Sequence, residues 1–452
     1  MLDKFFGLRK HNTDIKTEMI GGITTFITMA YILAVNPQIL SATGMDKNAI
    51  LIATAIAAFV GTFFMALFAN YPFALAPGLG LNAYFAYTVC GEMGYGWEIA
   101  LLAVFVEGIL FIALSLLNIR EAIIFAIPMQ LKSGISVGIG LFITFIGLQN
   151  AGLVIRSDAT LVTVVNFRQD FQTQGVGALL ALVGLFLIIL FSVKKIKGSI
   201  LLGILITWGL GMLCEMIGLY KVNVSTEHFS LFPVWNEFNL GAIKSTFGRC
   251  FNVDWRELPV FEFLVIVFSL MFVDLFNTLG AVIGVVKKAK LLDEEGRVPR
   301  MKRILLADAV ATSAGAILGT STTTTFVESA AGVSAGARTG LASIFTGLLF
   351  LLSIFLAPVF CAIPGFATAP ALIYVGFLMV SEIIEIKFDD ITEAIPAYLC
   401  LIGMPLFYSI SEGIAFGIIS YIVINLITGK RKKITPLMYI LGIVFLMKYI
   451  WL

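Results

Sequence analysis

Charged residues are scarce in this chain of 452 residues, where Asp, Glu, Lys and Arg together make up 13%. Soluble domains carry about 25% charged residues, so this composition excludes an ordinary soluble fold. Hydrophobic residues supply 59% of the chain and the mean hydropathy is +0.99, which indicates a membrane protein. The net charge of +2 is too small for a nucleic-acid partner, and none is expected.

Histidine is nearly absent, and the cysteines show no paired spacing. The two histidines, His11 and His228, lie in polar stretches, and the five cysteines are scattered. This excludes a disulfide framework and gives no metal-ligand cluster. Gly78-x-Gly80 lacks the Lys-Ser/Thr pair and the strand–helix unit of a phosphate-binding loop. We therefore expect no cofactor and no enzyme activity, because no nucleophile, base or metal constellation is visible.

What the chain has instead is a series of apolar runs of about 20 residues, the length that a membrane-spanning helix requires. We predict an all-α polytopic membrane protein with about fourteen transmembrane spans, of which the third and tenth are short and irregular. A polar leader, residues 1–18, has no signal-peptide core. A last apolar run, 435–452, is either a further span or an interfacial helix. The predicted spans are 19–38, 48–69, 74–91, 97–117, 130–152, 175–193, 199–219, 259–286, 303–320, 322–337, 340–360, 367–386, 391–409 and 411–428.

Positive charge fixes the orientation, because the inner loops of membrane proteins are rich in Lys and Arg. With the N-terminus inside, the inner loops collect the basic clusters at 194–197, 287–303 and 430–433. The outer loops hold few basic residues apart from the long segment 221–258, which is aromatic and polar. We expect a protein of the cell (plasma or inner) membrane with both termini in the cytoplasm and 221–258 outside.

The chain also repeats itself at an offset of about 236–239 residues. The run 105–111 resembles 345–350, and Ile127-Pro128 followed by 140–142 resembles Ile363-Pro364 followed by 376–378. Seven spans per half is an odd number, so the two halves are inverted in the membrane. Inverted repeats with one broken span each indicate a binding site near the membrane midplane.

The two irregular spans each contain a break. In residues 73–82, Pro77 removes a backbone donor, while Gly78 and Gly80 let another group approach the backbone. In residues 319–332, four consecutive threonines favour an extended chain, and the small residues after Glu328 favour a helix. Backbone groups freed by such breaks must face protein or a cavity, since lipid cannot satisfy them. We predict short strands in spans three and ten.

Two acids inside the predicted spans are candidate functional residues, since charge within a membrane is costly and usually functional. Asp274 shares a helical face with Asn277 and Thr278 at spacings of three and four, and a structural acid paired with a neighbouring helix is the alternative. Glu328 opens the helical half of the second break. Its structural alternative is a capping box with Thr325, in which Glu328 reaches back to a backbone amide.

Four other polar residues receive narrower roles. Asn82 offers an amide donor and acceptor to a ligand, with helix capping as the alternative. Glu107 is expected to support the interior through a hydrogen bond. Asp308 is expected to form a local ion pair with the cytoplasmic Arg and Lys cluster, and Arg338 to anchor the inner end of span ten.

Several stretches of the chain carry the signature of a known family. They are Gly21 to Ile32 with Val35-Asn36-Pro37, Ala76 to Ala83, Phe272-Val273-Asp274, and Thr322 to Gly332. They resemble the bacterial and fungal purine permeases, the hypoxanthine/guanine/adenine branch of the nucleobase–cation symporter family. The resemblance runs from about residue 5 to the end of the chain. One departure is Asn277, where we expect many relatives to carry a second acid, so proton coupling here would rest on fewer groups.

The resemblance implies two inverted seven-span repeats that form a core domain and a gate domain. The core would consist of spans one to four and eight to eleven, in residues 19–118 and 259–363. The gate would consist of spans five to seven and twelve to fourteen, in residues 119–220 and 364–452. The purine would lie between spans three, eight and ten, with the substrate-binding residues Asp274, Glu328, Asn82, Thr325, Phe326, Gly80, Asn277 and Ser329.

The expected function is secondary active import of purine nucleobases such as guanine, hypoxanthine, adenine or xanthine by proton symport. A purine has flat apolar faces and an edge of donors and acceptors that carboxylates and strand amides can match. Asp274 or Glu328 would carry the proton. The alternatives are a sodium-coupled nucleobase transporter and a sulfate-transporter-like anion carrier, which would need positive charge at the site. The oligomeric state stays open, with a homodimer as one option.

Overall fold

Helices make up most of the protein. A computed structural model describes residues 2–117, 127–168, 171–221, 230–235, 239–253, 260–289 and 298–451. The α-helices in these residues are α1 Leu2–Phe6, α2 Ile15–Met29, α3 Ile32–Leu40, α4 Lys47–Phe64, α5 Leu79–Ala83, α6 Trp97–Leu116, α7 Met129–Asn150, α8 Val176–Val193, α9 Ser199–Met216, α10 Val260–Ala289, α11 Met301–Leu318, α12 Ser329–Ser334, α13 Gly340–Leu352, α14 Ala357–Ala362, α15 Gly365–Val380, α16 Ile391–Leu406, α17 Ile410–Ile427 and α18 Pro436–Trp451.

Short strands and tighter or wider helical turns complete the secondary structure. The strands are β1 Leu75–Pro77, β2 Val154–Ser157, β3 Leu161–Val164 and β4 Thr323–Thr325. Three segments are π-helical: Met65–Ala69, Tyr84–Glu92 and Phe171–Gly175. Short 3-10 helices cover Arg9–His11, Ser41–Thr43, Leu240–Ser245, Arg249–Phe251, Ser353–Leu356, Ser381–Glu385 and Arg431–Lys433.

Nine helical stretches of the described chain are long and apolar enough to cross a membrane. They fall in predicted spans one, two, four to seven, eleven, twelve and fourteen. The other predicted spans also contain helix, either whole (α10, α11 and α16) or broken (β1 with α5, and β4 with α12). The protein is therefore a helical membrane protein, as predicted. Of the predicted outer loop 221–258, residues 222–229, 236–238 and 254–258 lie outside the described residues, as do residues 118–126 at the predicted junction between core and gate.

Helix starts follow from side-chain caps in the sequence. The Asp14 carboxylate accepts a hydrogen bond from the Thr17 amide at 2.7 Å, and Asp46 accepts one from the Ala49 amide at 2.7 Å. These contacts satisfy amides that the first turn of a helix leaves without a partner. Thus α2 and α4 begin where a polar residue precedes an apolar run.

The sequence repeat has a counterpart in the packing. Pro128 directly precedes α7, and Pro364 directly precedes α15. These two helices pack closely together. A Cβ on Gly140 of α7 would lie 2.7 Å from the Gly376 carbonyl oxygen, and a Cβ on Gly376 would lie 2.5 Å from the Gly140 carbonyl oxygen. The two residues that the sequence comparison matched therefore face each other where the helices cross.

A second pair of equivalent contacts joins the two halves of the chain. A Cβ on Gly108 of α6 would lie 2.8 Å from the Ser313 amide nitrogen of α11, and a Cβ on Gly347 of α13 would lie 3.5 Å from the Phe59 carbonyl oxygen of α4. Glycine is required for the approach at Gly108, whereas the 3.5 Å contact at Gly347 is an ordinary van der Waals contact. Each half thus packs one helix against a helix of the other half.

The two broken segments meet in the interior as a two-stranded sheet. β1 pairs antiparallel with β4, with Leu75 opposite Thr325 and Pro77 opposite Thr323. Both predicted strands are therefore present. The sequence did not predict the second sheet, an antiparallel pair of β2 and β3. At the C-terminal end, α18 packs against α10 and α17.

Candidate functional site

Two broken segments face each other at the candidate site. Beyond the strand pairing, the Gly78 amide donates to the Thr322 carbonyl and the Phe326 amide donates to the Ala74 carbonyl, both at 3.0 Å. The Ser329 hydroxyl accepts a hydrogen bond from the Ala74 amide at 3.0 Å. Backbone groups released by the two breaks therefore satisfy one another, as the lack of water in the membrane interior requires.

Asp274 lies on α10 beside the strand β4 and is fully buried. The Thr278 hydroxyl lies 3.2 Å from an Asp274 carboxylate oxygen, and it lies 2.7 Å from the Thr324 hydroxyl. Asp274 and Thr278 are four residues apart on α10. They therefore share one polar face of this helix, as predicted, and the face is directed toward β4. The face links an acid of α10 to the strand.

Asp308 belongs to the same polar group, a position that the expectation of a local ion pair with the basic cluster did not include. It is fully buried on α11. Its carboxylate oxygens lie 3.0 and 3.1 Å from the Thr278 hydroxyl, and one of them accepts a hydrogen bond from the Thr325 amide at 3.2 Å. The position is two turns into α11, and the helix rotates it away from the basic cluster and toward β4.

Glu328 lies at the point where the extended half of the second break becomes α12. It is partly exposed, unlike Asp274 and Asp308, and the preceding Val327 is 51% exposed. Its carboxylate accepts a hydrogen bond from the Tyr31 hydroxyl at 2.7 Å. Glu328 is the residue before the first turn of α12, but its side chain makes no cap bond. The capping-box alternative therefore does not describe this structure.

Asn82 of α5 is fully buried and linked to the second break by a short hydrogen bond from the Ser321 hydroxyl to its amide oxygen. Its amide nitrogen has no hydrogen-bond partner among the described residues. Buried polar atoms in native proteins nearly always have partners. The free N–H group therefore suits a ligand acceptor better than a purely structural role.

Asn277 and the glycines of the first break form the adjoining wall. The Asn277 amide nitrogen lies 3.9 Å from the position that a Cβ would take on Gly78 and also on Gly80. A Cβ on Gly80 would come within 2.8 Å of the Ile139 Cγ2 atom of α7. The missing side chains thus leave room for Asn277 on one side and for α7 on the other.

The remaining predicted residues mostly support the strand. Glu107 of α6 is buried and accepts a hydrogen bond from the Thr322 hydroxyl at 2.6 Å, so its predicted supporting role is confirmed. The Thr325 hydroxyl lies 3.4 Å from an Asp308 oxygen. Phe326 is buried. Arg338 donates to the Val333 and Ala337 carbonyls at 2.7 Å and so contacts the C-terminal end of the tenth span; that this end faces the cytoplasm stays a prediction.

Sequence reasoning missed Tyr31, Ser321 and the inward position of Asp308. Tyr31 stood inside a stretch that carries the family signature, but a single tyrosine in an apolar run gives no signal of its partner. Ser321 was visible only as part of a polar run, with no indication that its hydroxyl reaches Asn82. Among the described residues there is no group of three or more His, Cys, Asp or Glu side chains that could hold a metal ion.

The arrangement can bind a small flat molecule that has hydrogen-bonding edges. It offers a partly exposed carboxylate, a free amide N–H and two buried carboxylates around a strand pair, at the meeting point of broken helices. Sites of this kind are typical of secondary transporters. The fold and the site therefore define a multi-pass helical membrane transporter.

Comparison with known proteins specifies the family. The model of the permease family Xan_ur_permease matches residues 16–445, and the chain belongs to this family. It is 40% identical over 453 residues to the adenine permease AdeP of Escherichia coli (strain K12), covering 100% of this chain and 96% of that protein. It is 41% identical to the guanine/hypoxanthine permease PbuG of Bacillus subtilis (strain 168), covering 99% of both.

These relatives confirm the resemblance to purine permeases, and they are permeases and not enzymes. A solved structure extends the comparison to the fold. The transmembrane domain of the cyanobacterial bicarbonate transporter BicA superposes with a TM-score of 0.62 at 18% identity, covering 89% of this chain and 97% of that one. At this identity the likeness concerns the fold alone.

Proposed function

We propose that the protein is a secondary active importer of purine nucleobases that uses proton symport. The observation that carries the proposal is the position of Glu328, a partly exposed residue just after β4 whose carboxylate accepts a hydrogen bond from the Tyr31 hydroxyl. A carboxylate can accept two N–H groups from the edge of a purine. The free amide N–H of Asn82 can donate to a ring nitrogen or an oxo group. The names of the relatives support the same substrate class.

The proposed architecture is two inverted repeats of seven spans, with a core domain that moves against a gate domain. The packing supports this division. α2, α4, α6, α11 and α13 contact one another around the broken segments, whereas α7, α8, α15, α16 and α17 contact one another on the other side. The basic residues near the inner ends support cytoplasmic termini in the cell membrane.

The contacts at the outer ends of the helices support a closed outer side. Tyr408, in the turn between α16 and α17, donates a hydrogen bond to Gln149 of α7 at 2.9 Å. Its ring packs edge-on against Tyr87 of the first broken segment, with the centroids 6.2 Å apart. These contacts join the proposed gate to the proposed core.

The face of α12 that points away from α2 supports an open inner side. Val327 and Ser334 are exposed, and Ala330 and Ala331 are partly exposed, at helical spacing from the break to the inner end. Alternating access requires one side to be closed while the other is open. An inward-facing state of the proposed transport cycle would place this face of α12 toward the inner opening.

The acids that the interior holds support the proposed proton coupling. Asp274 or Glu328 can bind one proton, and a neutral carboxyl group crosses the membrane at a lower electrostatic cost than a carboxylate. Asn277 cannot titrate and therefore cannot share this task. The anion-carrier alternative is disfavoured because three acids, Asp274, Asp308 and Glu328, surround the strand pair.

Uptake into energised membrane vesicles tests the proposal. We expect labelled hypoxanthine, guanine or adenine to accumulate with an inward proton gradient and the accumulation to collapse with a protonophore. Asp274→Asn and Glu328→Gln should each abolish uptake while folded protein remains in the membrane, since each removes a candidate proton carrier in addition to a charge-assisted hydrogen bond worth about 1.5–3 kcal/mol. Uptake that follows a sodium gradient at fixed pH would replace proton symport by the sodium-coupled alternative. Equal uptake of uracil would contradict purine selectivity.

A further inference from the structure

The first span follows the broken tenth span along its whole length. At the inner end, the buried Glu18 carboxylate accepts hydrogen bonds from the Arg338 amide at 2.8 Å and the Thr339 amide at 3.3 Å. At the outer end, the Asn36 amide donates to the Thr320 hydroxyl at 3.0 Å. Residue numbers rise along the first span while those of their contacts fall along the tenth span. The two segments therefore run antiparallel in continuous register.

The middle of this contact is held by glycine. A Cβ on Gly21 of α2 would lie 2.5 Å from the Cβ of Ala337, and a Cβ on Gly332 of α12 would lie 2.5 Å from the Gly21 carbonyl oxygen. No side chain can be inserted here without moving the backbone. The register between α2 and α12 is therefore fixed by backbone contact.

Tyr31 lies beside the point in the tenth span where the strand β4 is followed by the helix α12. It lies between the end of α2 and the start of α3 and is 1% exposed. Its hydroxyl donates to the Glu328 carboxylate at 2.7 Å, and among the described residues it is the one side-chain donor to that carboxylate. A buried aromatic ring has few alternative rotamers, so the hydroxyl is held in place.

We propose that Tyr31 is a positioning residue that fixes the carboxylate of Glu328 for purine binding. The inference rests on the proposed function for its substrate. It adds a residue from the first span to a site that the sequence assigned to spans three, eight and ten. A hydroxyl that donates to a carboxylate holds it in one orientation before the ligand arrives, so loss of the donor weakens binding.

The kinetic test uses Tyr31→Phe, which removes the hydroxyl and keeps the buried ring. We expect KM for hypoxanthine to rise about tenfold, as for one lost bond to a charged group, with Vmax within about twofold. Tyr421→Phe removes the hydroxyl of another buried tyrosine, on α17, and serves as the matched control with unchanged KM. An unchanged KM in Tyr31→Phe, with wild-type uptake intact, overturns the proposal.

A double substitution shows whether Tyr31 acts through Glu328. Glu328→Asp withdraws the carboxylate by one methylene group, out of reach of the Tyr31 hydroxyl. Adding Tyr31→Phe to Glu328→Asp should then change purine affinity by less than about twofold, because the contact is already lost. Purine-induced thermal stabilisation of the purified protein gives the affinity even for a variant that does not transport. An equal tenfold loss in both backgrounds means that the two residues act independently and overturns the proposal.

Infrared spectroscopy separates this inference from the proposed function, because it needs no substrate. The carboxylate stretching band of Glu328 is identified by its loss in Glu328→Gln. The frequency of this band should shift in Tyr31→Phe, because the hydroxyl no longer donates to the carboxylate. A shifted band without purine uptake by the wild type would contradict only the proposed function. An unshifted band contradicts the positioning role.

Discussion

The two broken segments share a backbone arrangement and differ in almost everything else. β1 has the sequence Leu-Ala-Pro and is followed by Gly78 and Gly80, whereas β4 has the sequence Thr-Thr-Thr. The β4 side supplies a hydroxyl to Glu107 of α6 and an amide to Asp308 of α11, and a further hydroxyl contacts Thr278 of α10. The β1 side supplies little side chain, and its glycines let Asn277 and α7 come close. In this protein one break provides polar contacts and the other provides space.

The largest effect on purine uptake is expected from removing an acid that accepts hydrogen bonds from the β4 side. Asp308→Asn keeps the size of the side chain and removes its charge. We expect purine uptake to fall by roughly 10- to 100-fold, because bonds from Thr325 and Thr278 to an ionised group are worth about 1.5–3 kcal/mol. Uptake normalised to protein in the membrane measures this. The exposed Asp158 provides the control as Asp158→Asn, and a normal rate in Asp308→Asn would mean that the polar network of β4 is dispensable.

The space on the β1 side is tested by filling it. Gly80→Ala puts a methyl group 2.8 Å from the Ile139 Cγ2 atom. Overpacking of this kind costs about 1–3 kcal/mol, so uptake should fall roughly tenfold. Ile139→Ala in the same chain should restore most of it, since the clashing atom is removed. Gly209→Ala on α9 is the control, because nothing lies within 4 Å of its Cβ position; a defect that Ile139→Ala does not relieve would contradict a steric cause.

The smallest effect on uptake is expected where the two segments are tied together. Ser329→Ala removes the acceptor for the Ala74 amide and leaves a buried donor without its partner, at a cost of about 1–3 kcal/mol. Thermal stability of the purified protein should fall, while KM for hypoxanthine stays within about twofold. A large rise in KM with unchanged stability would instead place Ser329 in direct contact with the purine, as the sequence predicted.

The sequence was most informative where one residue type dominated a stretch. Consecutive threonines and the Pro-Gly run predicted the strands, and apolar length predicted the helices that cross the membrane. Asp308 could not be placed from the sequence, because the nearest charged residues in the chain, at 300–303, are basic while its neighbours in space are Thr278 and Thr325. Only the rotation of α11 about its axis decides between these surroundings, and sequence spacing alone does not fix that rotation.

The same limit applies to contacts between distant segments. Spacing along one helix correctly grouped Asp274 with Thr278, since residues three and four apart share a face. It could not pair Tyr31 with Glu328 or Ser321 with Asn82, because no local rule joins separate spans. The capping box satisfied a local rule and still failed, since the Tyr31 hydroxyl is the partner that Glu328 has in the folded protein.

The antiparallel contact between the first and tenth spans has a consequence for biosynthesis. Three hydrogen bonds along this contact join residues that are 284, 297 and 320 positions apart in the chain. At about 5–20 residues per second, a ribosome needs roughly 15–60 s to make the intervening chain. Glu18 and Asn36 therefore enter the membrane long before Arg338 and Thr320 exist, and the binding site can form only after most of the protein has been inserted.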